Sequence, residues 1–386
     1  MRILVLTKRQ YTGKDLLDDR FGRLFEIPKS LALLGHQVCG LALSYRQRPD
    51  ICLSAEATGG VVWETMNALP FSPIGAARHL KRIRARCDSF RPDVVWASSD
   101  AWHAMAARQV CLSLGIPYVV DLYDNYESFG LSKPPGIIPF FRRACRTADG
   151  LTLISGTLSE YVRSRYALPP DMPNLHLGNA VDTALFSPID KQQARKYLGL
   201  PANAVLIGTA GALDNGRGIV TLLKACEKLV ETMPSIRLVL AGPHDGTLDH
   251  FRHLPIDYLG ILPPTKTPLF WNALDLAIIQ NRDSDFGRYC YPQKLQEIVA
   301  CNVPLVASSV GEVKEILRDS PECLVAPDSP DLLAERIAAQ VKRKILVHRS
   351  EIRTWRDRAQ ELSRFLEEVV ARSGISRQGI GDKRAG

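Results

Sequence analysis

The stretch ALPPDMPNLHLGNAVDTALFSPID, residues 167–190, is dense in proline, asparagine and aspartate and holds no sustained apolar period, so it reads as a run of turns. What lies on either side of it decides the fold. Upstream, RILVLT (2–7), HQVCGLAL (36–43), GVVWETM (60–66), DVVWAS (93–98), YVVDLY (118–123) and LTLIS (151–155) are short apolar runs, separated by helical patterns such as FEIPKSLALLG and AWHAMAARQVCLSLG. Downstream the alternation restarts with VLIGTAG (205–211), IRLVLAG (236–242), IDYLG (256–260), LAIIQ (276–280), PLVAS (304–308) and CLVAP (323–327). Strand then helix, repeated, predicts a parallel sheet wrapped by helices, and the restart predicts a second one. The expected fold class is α/β: two Rossmann-like, doubly wound domains facing a central cleft. Open sheets of this kind bind ligands outside the carboxyl ends of their strands. The segment SEIRTWRDRAQELSRFLEEVVARSG predicts a long amphipathic helix, and ISRQGIGDKRAG a frayed tail.

A chain of 386 residues that is 46% hydrophobic and 23% charged is long enough for two cores of ordinary globular composition. Its formal charge of +8 invites nucleic acid, anionic lipid or phosphorylated substrates as partners. The nine cysteines are scattered, odd in number and without a C-x-x-C pair, which suggests neither a disulfide framework nor a zinc site and points to a reducing cytosol. The apolar run in MRILVLTKRQ is too short for a signal peptide, and no stretch approaches 18 apolar residues, so no spanning helix is expected.

The stretch FGRYCYPQKLQEIVACNVPLVAS, residues 286–308, sets Lys294 and Glu297 three residues apart between a Tyr-Pro turn and an apolar strand. Proline suits a helix start, so QKLQEIVA is expected to begin a helix at about Pro292, with Lys294 in its first turn. A helix N-terminus with a lysine inside it attracts an anion, and Glu297 on the same face could take hydroxyl groups. An ordinary surface Lys–Glu pair has the same spacing.

The chain to about residue 372 resembles the GT-B glycosyltransferases, and within them family 4, the bacterial sugar transferases of surface polysaccharide and glycolipid assembly. The order of the motifs carries the resemblance. LGHQV stands where the family has a Gly-His-x-Val strand, and LTLIS with LSEYV where it has its Val-Ser signature. NAVDTALFSP resembles the linker, GALDNGRGIVTLLKA the phosphate turn, and YPQKLQEIVACNVPLVAS the Pro-x-Lys-Leu-x-Glu segment. The resemblance implies an N-terminal acceptor-binding domain over 1–185, a nucleotide-sugar-binding domain over 186–349, a helix over 350–373 packed back on the first, and a flexible tail over 374–386.

Carried over residue by residue, the resemblance implies that Arg217 and Lys294 hold the diphosphate of a nucleotide-sugar and that Glu297 accepts from its ribose hydroxyls. The nucleobase would lie along the loop DYLGILPPT, and Gly311 with Glu312 and Glu315 resembles a structural turn. Arg20 and Gly22, in the long loop after the first strand, are candidate phosphate or acceptor contacts, with Tyr123, Asp285 and Tyr291 as further sugar, phosphate or acceptor contacts. Three departures stand out. Tyr289 falls where the family's first glutamate belongs, so that half is missing or supplied by Asp283 or Asp285; Tyr123-Asp124 replaces a His-Asp pair; Ala212 replaces a second arginine. Asp121 and Asp124 are the candidate catalytic groups, as hydrogen-bond acceptor or general base, although an aspartate at a strand's end often caps a loop.

GPHDGTLDHFRH gathers His244, Asp245, Asp249, His250 and His253, yet lacks the glutamate of an H-E-x-x-H site, and no metal or other cofactor is expected beyond the nucleotide-sugar co-substrate. The absence of G-x-S-x-G, P-loop and G-x-G-x-x-G sequences argues against esterase, kinase and dehydrogenase. His103 at a helix start reads as core or cap. In PIGAARHLKRIRARCDSFR (73–91), Ile74, Ala77, Leu80, Ile83, Cys87 and Phe90 form an apolar stripe opposite Arg78, Lys81, Arg82 and Arg86. In KPPGIIPFFRRACR (133–146), Ile137, Ile138, Phe140 and Phe141 adjoin Arg142, Arg143 and Arg146, the pairing an interfacial segment needs; burial of the phenylalanines inside the domain is the alternative. The basic residues are not interleaved with stacking aromatics, which ranks nucleic acid below an anionic membrane.

The expected function is a metal-independent transfer, with retention, of sugar from a nucleotide-sugar to a lipid-linked or polysaccharide acceptor. Its expected place is the cytoplasm, with peripheral contact on the inner face of the cell membrane. A GT-B sugar epimerase or phosphorylase, and a degenerate glycosyltransferase acting as a scaffold, are the alternatives.

Overall fold

The computed structural model describes residues 1–11, 14–68, 73–348 and 352–382. The chain divides into two compact units, Met1–Gly178 with Trp355–Gly386, and Asn179–Thr354; the sequence-based divisions, after residues 185 and 349, lie a few residues away. The turn-rich stretch contains a short strand, Asn174–His176, which pairs in parallel with Gly150–Leu153 and so belongs to the first sheet. With one apolar residue in three, it gives no periodic signal.

The first unit's sheet runs, edge to edge, Asn174–His176, Gly150–Leu153, Tyr118–Leu122, Val94–Ala97, Arg2–Lys8, Gln37–Ser44, Val61–Asn67 and Cys52–Leu53. Every pair is parallel except the last. From Arg2–Lys8 the chain builds outward to Val61–Asn67, then returns to Val94–Ala97 on the other side. The strand order therefore reverses between Arg2–Lys8 and Val94–Ala97, the place where an open sheet leaves a crevice.

The second unit's sheet runs Ile256–Tyr258, Ile236–Ala241, Val205–Ala210, Leu276–Ile279, Leu305–Ser308 and Leu324–Val325, all parallel. Its order reverses between Val205–Ala210 and Leu276–Ile279. Alternate residues of its strands feed two separate cores, as a sheet covered on both faces requires. Leu206, Val239, Ala277, Leu305 and Ala307 pack with Phe270, Trp271, Leu295 and Ile298 on one face. Ile207, Leu238, Leu240, Ile278 and Val306 pack with Leu222, Leu223, Leu333 and Ile337 on the other. At the carboxyl ends the strands close up: Gly242, at φ +129°, lies where a Cβ would come within 1.9 Å of the Gly211 carbonyl oxygen, so a side chain there has no room.

The helix Trp355–Asp382 belongs to the first unit, where a Cβ on Gly150 would meet Phe365 at 2.9 Å and Val369 at 3.1 Å. It runs through the first residues of the expected tail, and residues 383–386 lie outside the described residues.

Both basic segments depart from the expected pattern. On the helix Pro73–Phe90, Ile83 and Cys87 are buried, but Ile74 is 74% exposed and Ala77 is exposed, because the helix turns its first turns outward; His79 goes inside instead. Arg82 and Arg86 are engaged by Glu64. On the helix Ile137–Arg146, Phe141 is fully buried against Tyr126 and Tyr166, and Arg142 forms a two-point pair with Glu127 at 2.7 and 2.9 Å. Phe141 and Arg142 are therefore structural rather than interfacial, while Phe140, at 62% exposure, and Arg143 remain outside. Among the described residues no helix is long and apolar enough to cross a membrane, and no cysteine is in a disulfide.

Candidate functional site

The strongest grouping lies at the strand-order reversal of the second unit. Strand Val205–Ala210 ends in Gly211, and the chain turns through Asn215–Arg217 into the helix Ile219–Thr232. Asp214 caps the turn, its carboxylate accepting from the Arg217 backbone N–H at 2.9 Å. Across from it the helix Gln293–Ala300 starts directly after Pro292, which places Lys294 in the first turn and Glu297 one turn on. The Lys294 Nζ donates to Thr209 Oγ1 at 3.4 Å, and a methyl group at Gly211 would stand 3.5 Å from it, so this glycine leaves the amine open to the turn. The Arg217 guanidinium lies on the ring of Phe286, 3.5 Å from its centroid, and forms no ion pair among the described residues.

Phe286 is itself held firmly. Its helix, Asp285–Tyr289, is capped by Ser284, and a Cβ on Gly287 would fall 2.1 Å from the Arg282 carbonyl oxygen. Glu297 is buried, and its Oε2 accepts from the Trp271 indole N–H at 3.0 Å. Burial pushes the Glu297 carboxyl up to about 7, against the opposing pull of Trp271 and Lys294. Burial, and next the charge on Arg217, bring Lys294 down to about 8, with Glu297 opposing. Two cations thus converge beside one carboxylate that is partly protonated near neutrality, which makes the turn attractive to an oxyanion.

These shifts fix a pH dependence. An ammonium that grips an anion is lost as pH rises through about 8, and a carboxylate that accepts from hydroxyls is lost as pH falls through about 7. Affinity for a nucleotide-sugar, measured by calorimetry, should therefore peak between about pH 7 and about pH 8 and decline on both sides. Lys294→Met should abolish the alkaline limb; an unchanged limb would assign it to another group.

Other expected residues fall elsewhere. Tyr291 is buried, its hydroxyl accepting from Gln296 at 3.0 Å and its carbonyl from Asn179 at 3.0 Å, so it is part of the wall rather than a sugar contact. Asp285 is exposed in the first turn of its short helix, and Asp283 is paired with Arg288 at 2.6 Å. The His244–His253 segment is dispersed: His253 pairs with Glu227, Asp249 with Arg252, and His244 packs edge-on to Tyr258. Among the described residues no group of three or more His, Cys, Asp or Glu side chains could hold a metal ion.

In the first unit, Asp121 requires a correction. It is fully buried; its Oδ1 accepts from Arg23 at 2.8 Å and Thr152 at 2.7 Å, and its Oδ2 from Ser98 at 2.6 Å. A carboxylate so enclosed has no path to a substrate, and it acts as the counter-charge of the buried Arg23. Asp124 is half-buried at the end of the same strand, accepting from the Asn125 backbone at 2.7 Å. Tyr123 donates to the Ser99 carbonyl at 3.3 Å. Gly22, at φ 79°, is the residue before the helix Arg23–Leu33, and Arg20 is exposed with its Nε on the Leu17 carbonyl. His103 is buried with Nδ1 2.7 Å from Asp100, which caps its helix.

Sequence reasoning missed Trp271, Thr209 and Phe286 around the second unit's turn, and Lys8 and Arg23 in the first. Trp271 and Phe286 sit in segments of ordinary helical pattern, and their meeting with Glu297 and Arg217 depends on strand order, which local patterning does not encode.

The family comparisons agree with this geometry. A family model described as "Glycosyl transferases group 1" matches residues 204–342, and one described as "Glycosyl transferase 4-like domain" matches residues 23–173. Solved structures show the GT-B fold: a sucrose-phosphate synthase from Thermosynechococcus elongatus has a TM-score of 0.71 at 15% identity, over 99% of both chains. An Anabaena protein, HepE, solved with UDP-glucose, has a TM-score of 0.66 at 16% identity, over 98% of this chain and all of that one. The chain belongs to the group 1 glycosyltransferases of GT-B fold. Among relatives, a protein from Bacillus subtilis (strain 168) named as a teichuronic acid biosynthesis glycosyltransferase is 27% identical over 68% of this chain. A D-inositol 3-phosphate glycosyltransferase from Acidothermus cellulolyticus is 28% identical over 45% of it. The matches take in 64% and 41% of those two proteins, less than two thirds of either.

Proposed function

We propose that this protein transfers a glycosyl group from a nucleoside-diphosphate sugar to a hydroxyl of a saccharide acceptor. The observation that carries the reading is the convergence of Lys294 and Arg217 on the glycine turn after Val205–Ala210, with Glu297 one helical turn away. In this reading Arg217, laid flat on Phe286, presents its two-pronged edge to the diphosphate, and Lys294 meets the same group from the opposite helix. When the bond from the anomeric carbon to the diphosphate breaks, negative charge grows on the departing phosphate, and both cations stabilise it. They supply this charge from side chains, so the reaction is proposed to proceed without a metal. Glu297, held by Trp271, accepts from the ribose hydroxyls.

The finer reading is a retaining transfer to a lipid-linked or polysaccharide acceptor in bacterial surface glycan assembly. The relative named for teichuronic acid biosynthesis supports it. Peripheral contact with an anionic membrane would fall to Phe140, Arg143 and Arg146, exposed members of that segment.

The test is turnover. A panel of nucleotide-sugars that includes UDP-glucose should yield one that raises the melting temperature, since a ligand binding the native state stabilises it by mass action. The same donor should release nucleoside diphosphate when a soluble polysaccharide or vesicles bearing lipid-linked saccharide are added. Binding without release under any acceptor would support a scaffold, and no stabilisation by any nucleotide-sugar would overturn the donor site.

A further inference from the structure

The turn-rich stretch 167–190 does more than join the two sheets. Its first residues fold against the helix Gly156–Tyr166 and the edge strand Asn174–His176 around a cavity of about 220 Å³ that lies wholly within the first unit. The helix turns one face to this cavity, since Ser159, Val162 and Arg163 are spaced three and four positions apart. Leu153 adds an apolar side chain from the end of its strand, and Leu168 and Met172 add two more from the loop.

The loop side is fixed before any ligand arrives. Ala167 ends the helix in the left-handed region, at φ 48°, and turns the chain back. Pro169 and Pro170 then hold their own φ angles. The Met172 N–H donates to the Pro169 carbonyl at 3.2 Å, the Asn174 side-chain amide donates to the Met172 carbonyl at 3.2 Å, and the Pro173 carbonyl accepts from the Leu151 N–H at 3.0 Å. A wall pinned at both ends loses little freedom when something binds to it.

The polar groups around the cavity are unspent. Ser159 is only 5% exposed, yet its hydroxyl has no hydrogen-bond partner among the described residues. A buried hydroxyl left so carries a desolvation cost that a ligand oxygen would remove. Arg163, one helical turn on, is exposed and forms no ion pair or hydrogen bond among the described residues. No acidic side chain lines the cavity; Glu160 and Asp171, close by in sequence, are exposed and lie outside the lining.

We infer that this cavity binds a small carboxylate with a compact apolar body, its two oxygens on Arg163 and the Ser159 hydroxyl and its body against Val162, Leu168 and Met172. Charge and wall chemistry select that class. One guanidinium matches one carboxylate, whose two oxygens it can grip together. A phosphate would bring a higher charge and more polar oxygens to a single cation, and a neutral sugar would set its hydroxyls against a lining in which six of nine residues are apolar. The volume falls below the roughly 300–1,000 Å³ of pockets for drug-sized molecules, so the ligand is small. This binding is independent of the transferase reading, because every residue involved lies in the first unit and none belongs to the donor site.

Saturation-transfer NMR on the full chain decides it, with benzoate and isovalerate as probes, benzamide and isovaleramide as their neutral counterparts, and inorganic phosphate and UDP as competitors. At least one carboxylate should bind saturably, and its amide about tenfold or more weakly, the loss of a charge-assisted hydrogen bond. Arg163→Met, which keeps most of the stem, should weaken the carboxylate by the same factor. Should that variant fail to fold by circular dichroism, Ser159→Ala takes its place: it removes a hydroxyl that bonds nothing else in the described protein and should weaken the probe about threefold or more. No saturable carboxylate, an amide that binds as well as its acid, full affinity in the folded variant, or displacement by phosphate or UDP at equal concentration would overturn the inference. Nucleotide-sugar stabilisation is read separately on the unmodified protein, and its absence would sink the donor site while leaving the carboxylate result standing.

Discussion

Lys294→Ala is expected to weaken nucleotide-sugar binding by roughly 10- to 150-fold, the range for removing a hydrogen bond to a charged group. The size follows from where the amine sits. It is half-buried, aimed past Gly211 and matched by one weak contact to Thr209, so little in the protein itself takes up its donors before a ligand arrives. Arg217→Ala should lose affinity over the same range, because the guanidinium is oriented on Phe286 and among the described residues no ion pair competes for it. Lys294→Met separates binding from folding: it keeps the stem and drops a charge that burial disfavours, so affinity should fall while the melting temperature shifts by no more than about 2–4 °C, the equivalent of about 1 kcal/mol. Calorimetric titration and thermal unfolding of the same preparations measure both. Full affinity in both variants would remove the diphosphate from this turn.

Asp121→Ala should have its large effect on stability instead. It leaves the buried Arg23 guanidinium without its counter-charge, a change worth about 3–5 kcal/mol, and takes an acceptor from Ser98 and Thr152. Urea unfolding followed by circular dichroism gives the loss directly. Arg23→Met combined with Asp121→Leu should recover much of it, since well-packed apolar pairs replace buried ion pairs with little cost. A catalytic Asp121 would behave the other way, with turnover lost and the unfolding midpoint kept.

Asp121 also shows where the sequence stopped being informative. The strands were legible because each is a short apolar run between turn residues, and the parallel sheets followed from their alternation with helices. The Lys294–Glu297 pair was legible because proline marks the helix start and spacing sets the face. Asp121 and Asp124 are three residues apart at one strand's end and look equivalent in sequence. The burial of Asp121 arises with Arg23, 98 positions away, whose guanidinium donates to it at 2.8 Å. The same holds for Arg217 and Phe286, and for Phe140 and Phe141, adjacent residues that the helix Ile137–Arg146 sends to opposite environments. In each case partner choice is set by strand order and by which helix face meets the sheet, and neither is written in the local pattern.

The central claim, that the turn after Val205–Ala210 with Lys294 and Glu297 is a preformed nucleotide-diphosphate site, is tested most directly by a crystal structure of the full chain with bound UDP-glucose, or with whichever nucleotide-sugar the stabilisation screen selects. The account predicts diphosphate oxygens within hydrogen-bond distance of the Lys294 Nζ and the Arg217 guanidinium, Phe286 still beneath the arginine, and ribose hydroxyls on Glu297. A nucleotide bound away from this turn, with Lys294 and Arg217 untouched, would contradict it.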